Sequence, residues 1–226
     1  MSNVNETHLK FFADFIKKEL GIIYKSENYY QLEKRLIEIA KNLNLESVDE
    51  LYKKSSQLGI HGHVKQMVLD IATNNETSFF RDPRVFKAIE NGVLPNWRKS
   101  HPNDKVFRVW SVACSFGQEP YSIAMLINEY KGRGNDFPRA DIRATDISER
   151  ALAKAKSGIY SQLEVQRGLS APLLVKYFKK TEDDNWQISS DVRTNVFYEK
   201  MNLLNISGMV GSFDVILCRN VLIYQN

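Results

Sequence analysis

The chain is 226 residues long, 43% of them hydrophobic and 11% aromatic, with 31 Lys+Arg against 27 Asp+Glu for a formal net charge of +4. That composition supplies a buried core and excludes a disordered or fibrous chain, while the length allows two small domains or one large one. A surplus of this size, without a run of like charges, falls far short of the basic stripe of a dedicated nucleic-acid binder, so no nucleic-acid partner is expected.

From the amino terminus, MSNVNETHLKFF carries no basic segment followed by an apolar one, and no stretch approaches the roughly 18 apolar residues of a membrane span. Residues 1–72 read as helices: Leu9, Phe12, Ile16 and Leu20 recur at three and four, as do Leu32, Leu36, Ile39 and Leu43, then Val64, Met67, Val68 and Ile71. The expectation is an amino-terminal bundle of about four helices, leaning on the remainder of the chain for stability. After Thr73, and past a Pro/Asn/Lys-rich stretch at 94–105, short β-branched runs alternate with helical ones. The pattern gives a strand at 106–112, a small-residue turn at 113–117 and a helix through 121–130. A strand at 142–145 and a helix at 149–156 come next. This βαβα order predicts a parallel sheet. Two further strands are expected at 195–199 and 213–219, and 186–188 with 192–193 reads as a small antiparallel hairpin. Cys114 and Cys218 lie far apart in apolar runs with no CxxC pair, and the four histidines are scattered, so neither a disulfide framework nor a metal site is expected. A reducing cytoplasm fits best.

Four segments carry possible chemistry. In VWSVACSFGQEPYS a strand ends in small residues, bends at Gly117 and enters a helix, which lets backbone N–H groups approach a ligand or merely joins two elements. Only one glycine is present, so neither a dinucleotide fingerprint nor a phosphate loop is met. Asp146 closes the next strand (ARATD), where it either accepts hydrogen bonds from ribose hydroxyls or caps the following helix. NNETSFFRD places Asn75, Thr77 and Arg81 around Phe79 and Phe80 at the junction of the two halves, as a ligand site or as a capped linker with aromatic plugs. In FDVILCRNVLIYQN an apolar strand runs straight into Arg219, Asn220 and Tyr224, polar groups at the carboxyl end of a strand.

Taken together and in this order, NNETSFFRD, SVACSFGQEPYS, ATDIS and FDVILCRNVLIY resemble the chemotaxis receptor methyltransferases of the CheR family over essentially the whole chain. The resemblance implies an α/β fold: a small all-α bundle (1–72), then a Rossmann-like class I methyltransferase domain (73–226) with a small antiparallel β insert at about 178–200. It also implies a seven-stranded sheet that the chain leaves after its fourth strand, so an incomplete sheet with an open edge is expected. The implied activity is transfer of a methyl group from S-adenosylmethionine, leaving S-adenosylhomocysteine, to glutamate carboxylates on the cytoplasmic helices of chemotaxis receptors. Cofactor-binding positions carried over from the family are Asn75, Thr77, Arg81, Glu119, Asp146, the adenine-side pair Asn202 and Leu203, and the pair Arg219 and Asn220. Arg81 and Tyr224 are the candidates for orienting the carboxylate and the methyl donor. A cytoplasmic monomer is expected. The alternative is a scaffold of the same fold that binds cofactor without turnover.

The chemistry accounts for this residue set. A glutamate carboxylate has a reference pKa of about 4.3 and is ionised at neutral pH, so the enzyme needs positioning and exclusion of water rather than a general base. The family's receptor contact through basic residues of the amino-terminal domain falls on Lys34, Arg35 and Lys41, which Glu33 and Glu38 interrupt. The glycine-free loop at 179–185 is short for docking on a receptor tail.

Overall fold

The computed structural model describes residues 4–73, 75–206 and 211–221. The amino-terminal part is built from α1 (Glu6–Leu20), α2 (Tyr29–Asn42), α3 (Val48–Leu58) and α4 (Gly62–Ala72). Local signals fix the ends of α1: Asn5 accepts a hydrogen bond from Thr7 N, and Gly21, at φ 71°, returns its N–H to Lys17 O. The predicted stripes converge, with Phe12, Ile16, Leu32, Leu36, Ile39 and Val68 fully buried in a core of their own. Arg35 is not on the surface helix face expected of it. Its guanidinium turns inward to Ile71 O at 2.6 Å, Ala72 O at 3.0 Å and the Tyr24 hydroxyl at 2.8 Å, and so caps the carboxyl end of α4.

After the 75–81 segment come α5 (Pro83–Ala88), a π-helical turn (Ile89–Val93) and α6 (Leu94–Ser100). The first part of the Pro/Asn/Lys-rich stretch, 94–100, is thus helical, with its proline near the start of α6 directly after the π-helical turn. Next along the chain are β1 (Val106–Val112), α7 (Gln118–Gly132), β2 (Arg139–Asp146), α8 (Glu149–Ser157), β3 (Ile159–Tyr160), α9 (Gln162–Gln166) and α10 (Ala171–Tyr177). The last elements are β4 (Phe178–Lys180), β5 (Trp186–Ile188), α11 (Ser190–Arg193), β6 (Val196–Lys200) and β7 (Val215–Cys218).

Among the described residues four strands form a parallel sheet in the order β6-β2-β1-β7, a Rossmann-like arrangement with the first strand inside and later strands added on both sides. Val109, Ile142, Val196 and Leu217 enter the core with α7, whose Ile123, Ala124, Met125 and Ile127 are all buried. On the opposite face Phe197, Arg143, Trp110 and Ile216 lie side by side in register. There Phe197 and Ile216 are exposed, while Trp110 is covered by Phe213, stacked on it at 5.5 Å, and donates from its indole to Thr145 Oγ1 at 3.0 Å.

The second sheet is small and antiparallel, in the order β3-β5-β4. It corrects the predicted hairpin. Residues 186–188 pair with 178–180, whereas Val192 and Arg193 lie in α11, because Ser189 adopts the extended conformation of a helix cap and the next residues wind into a turn. Residues 196–200, inside the 178–200 span assigned to the insert, join the parallel sheet through β2. Gly168 is fixed where the chain passes behind the 75–81 segment: at φ 95°, a Cβ there would stand 1.8 Å from Phe79 O. Gly168→Ala is therefore expected to lower the unfolding free energy by about 2 kcal/mol or more, read from urea denaturation followed by circular dichroism.

Candidate functional site

The turn after β1 holds three residues of left-handed backbone within five positions. Ala113, Ser115 and Gly117 take φ of 51°, 52° and 87°. Such geometry costs of order 1 kcal/mol or more at a non-glycine residue and persists only where neighbours hold it. Here Cys114 N donates to Thr145 O at 2.9 Å, Ser115 N to Asp146 Oδ2 at 2.8 Å, Gly117 N to Cys114 O at 3.0 Å and Ser115 Oγ to Asn75 O at 3.1 Å. Glycine is required at 117 for a second reason: a Cβ would fall 2.7 Å from the Tyr198 hydroxyl and 2.8 Å from Ala155 Cβ. The turn is pressed onto α8 and β6, and α7 starts directly from it.

Two carboxylates stand on this frame, Asp146 buried and Glu119 half-buried. Asp146 does not cap α8; Ser148 does, accepting from Ala151 N at 3.0 Å. Asp146 instead joins two turns, accepting from Ser115 N with one oxygen and from Ser148 N at 2.9 Å with the other. Burial pushes its carboxyl above the ordinary value, and the N–H groups of Ser148, Ser115 and Ile147 hold it partly back. Glu119, in the first turn of α7, accepts from Ser111 Oγ at 2.7 Å and from Arg219 Nη1 at 3.1 Å. Burial raises it too, against the pull of Ser111 and Arg219. Arg219 also donates to Arg81 O at 2.7 Å, so the residue after β7 ties the start of α7 to the 75–81 segment. Burial holds the Cys114 thiol well above its ordinary value, so it stays neutral.

The remaining walls come from three directions. In the 75–81 segment, Phe79 is fully buried, Arg81 Nη1 donates to Glu76 O at 2.6 Å, and Asn75 Nδ2 is buried without a partner among the described residues. Past β6, the Asn202 amide is engaged at both ends, donating to Glu19 O at 2.8 Å and accepting from Leu204 N at 3.0 Å. The third wall, absent from the sequence reading, is apolar: Leu20 and Ile22, on either side of the Gly21 cap that ends α1. That helix stop was visible in the sequence, but the cleft it faces was not.

The structure brings Asn75, Thr77, Arg81, Glu119, Asp146, Asn202, Leu203, Arg219 and Asn220 onto one cleft. It opens at the carboxyl ends of the strands, where β1 separates from β7 and the strand order reverses, the position at which open α/β sheets bind ligands. Tyr224 lies outside the described residues.

Residues 75–226 match the CheR methyltransferase SAM-binding domain. The chain belongs to the CheR methyltransferase family. Among relatives, it is 36% identical over 215 residues to the chemotaxis protein methyltransferase Cher2 of Pseudomonas putida, spanning 94% of this chain and 78% of that protein. Identity to chemotaxis protein methyltransferase 1 of Pseudomonas aeruginosa is 36% over 217 residues, 95% of this chain and 78% of that one. For the chemotaxis protein methyltransferase of Vibrio parahaemolyticus it is 32% over 222 residues, with coverage of 98% and 79%. This CheR chain is accordingly a methyltransferase of chemotaxis with S-adenosylmethionine as cofactor. The cleft suits such a group, with an unpartnered buried donor at Asn75 Nδ2, two carboxylates for hydroxyls and positive charge, and an apolar side at Leu20, Ile22 and Leu203. No helix among the described residues is long and apolar enough to cross a membrane.

Asp146 gives the site a pH signature. A carboxyl raised in the folded state keeps a proton that the unfolded chain releases just above the ordinary value of 3.8. The folded protein then binds more protons, and the stability contributed by the group falls as pH rises through that interval. The stability difference between wild type and Asp146→Asn is expected to shift against the wild type as pH rises above that value, measured by denaturant titration at a series of pH values.

Proposed function

We propose that this CheR chain methylates glutamate side chains on the cytoplasmic helices of chemotaxis receptors, forming methyl esters for sensory adaptation, and that it works in the cytoplasm as a monomer. The observation that carries the reading is the charge balance of the cleft. Arg219 is neutralised by Glu119, and no histidine among the described residues lines the walls. That suits a nucleophile that arrives already ionised and needs no base, as a glutamate with a pKa of about 4.3 does.

When bound, S-adenosylmethionine supplies a methyl group on a positively charged sulfonium sulfur. Asp146, with two backbone N–H groups already on its carboxylate, keeps lone pairs for the ribose hydroxyls. Glu119, locked by Ser111 and Arg219, offers negative charge to the cationic part of the cofactor. Asn75 Nδ2 and Thr77 supply polar contacts from the facing segment, and Asn220 does so from the end of β7. Asn202, with its amide engaged at both ends, acts by setting Leu203 as an apolar wall on the adenine side.

Charge is lost in the transition state, because an anionic carboxylate and a cationic sulfonium neutralise each other. A naked cation against the nucleophile would stabilise the ground state more than the transition state and slow the reaction. Pairing of Arg219 removes that penalty. Arg81, whose guanidinium is held by a neutral carbonyl, Glu76 O, keeps its charge, so the same penalty favours its holding the cofactor's own carboxylate over the substrate's. Tyr224 is retained as a second orienting residue on the strength of the resemblance.

Incubation with labelled cofactor and receptor cytoplasmic fragments is expected to give a base-labile methyl ester. Alkali-stable product, or cofactor binding with no transfer, would overturn the assignment. Glu119→Gln, which leaves the half-buried Arg219 without its counter-charge, is expected to weaken cofactor affinity by about tenfold, measured by calorimetry.

A further inference from the structure

The small antiparallel sheet lies against the back of the cleft and contributes nothing to its lining, yet one of its side chains reaches both segments that do. Tyr160, at the end of β3, is fully buried. Its hydroxyl donates to Phe116 O at 2.7 Å, the carbonyl directly before Gly117 in the strained turn. Its ring meets Phe79 edge-on at 5.0 Å and Tyr121 at 6.4 Å. Phe79 anchors the segment that carries Asn75, Thr77 and Arg81, while Phe116 lies between Ser115 and Glu119. We propose that Tyr160 is a positioning residue for the cofactor, which holds the β1–α7 turn and the 75–81 segment at a fixed separation through one hydrogen bond and one ring contact.

Two features of the turn favour this. Residues with positive φ on either side of Phe116 relax unless their surroundings fix them, and the Phe116 carbonyl is one of the fixed points. Phe79 is in turn clamped from behind by Gly168, so a shift at Tyr160 is passed on to residues 75–81 rather than absorbed. Tyr177 provides an internal comparison. Its hydroxyl also makes a short hydrogen bond, to Glu129 Oε1 at 2.6 Å, but toward the other end of α7.

The proposal rests on the assignment of the cleft to S-adenosylmethionine. The test titrates S-adenosylhomocysteine into the full chain as wild type, Tyr160→Phe and Tyr177→Phe, and follows amide hydrogen exchange of the three proteins without ligand. Tyr160→Phe keeps the ring and deletes only the donor. It is expected to raise the Kd about fivefold or more, the equivalent of one lost buried hydrogen bond, and to speed exchange at Ser115 and Gly117. Tyr177→Phe is expected to lose stability without either effect. An unchanged Kd in Tyr160→Phe, or equal changes in both variants, overturns the proposal. A wild type that fails to bind overturns the cleft assignment and the cofactor half of the proposal, while unaltered exchange in Tyr160→Phe overturns the half that concerns the turn.

Discussion

The Asp146 carboxylate takes a backbone N–H from each of two turns, the one after its own strand and the one after the neighbouring β1, and the cleft is organised around that junction. Burying a carboxylate is costly, which is why burial raises its proton affinity. Two charge-assisted hydrogen bonds of about 1.5–3 kcal/mol each offset that cost. They also fix the strained Ser115 backbone, so the same contact that keeps the carboxylate ionisable shapes the turn from which α7 and Glu119 start. Glu119 then orders Arg219, and Arg219 reaches the Arg81 carbonyl. Hydrogen bonds and the short stretch of backbone from Ser115 to Glu119 thus link the end of β2 to the residue after β7 and on to the segment joining the helical bundle to the sheet.

The bundle is more than an appendage to this frame. It has its own apolar core, but Ile147, from the turn after Asp146, packs against that core. Polar ties cross the same boundary: Asn202 reaches Glu19 O, and Lys200 bridges Gln66 of α4 and Glu149 of α8 at 2.7 and 2.6 Å. Lys65 and Glu19 pair within the bundle at 2.6 Å, next to that crossing point. Leu20 and Ile22 therefore present an apolar wall whose distance from Asp146 is set by several contacts at once.

Much of this was legible in the sequence where local signal and tertiary context agree. The β1 bounds come from a largely apolar run, interrupted by Arg108 and Ser111 and ending in small residues, and the helical stripes of α1 and α2 come from their spacing. The motifs also named the polar residues that meet at the strand ends, because chain order and strand position are enough to bring Asp146, Glu119 and Arg219 to one edge. Side-chain direction was not legible. Arg35 reads as surface charge but is drawn inward by the free carbonyls at the end of α4. Val192 and Arg193 read as strand, yet their N–H groups bond back to the Ser189 carbonyl and close a short helical turn in place of a strand pairing. The apolar wall at Leu20 and Ile22 required knowing how the bundle sits on the sheet, which no local pattern encodes.

Trp110 acquires a meaning from its position. Its indole is sealed beneath Phe213, with Arg143 above that ring at 5.7 Å, and its N–H is bound to Thr145, which itself lines the cleft beside Asp146. The excited state of an indole responds to the polarity around its nitrogen and to quenching by neighbouring groups. The protein thus carries a native fluorophore wired by a single hydrogen bond to the floor of its binding cleft, on the face of the sheet away from the ligand. Of the three tryptophans, Trp110 is therefore the one whose surroundings are tied by a hydrogen bond to a residue of the cleft.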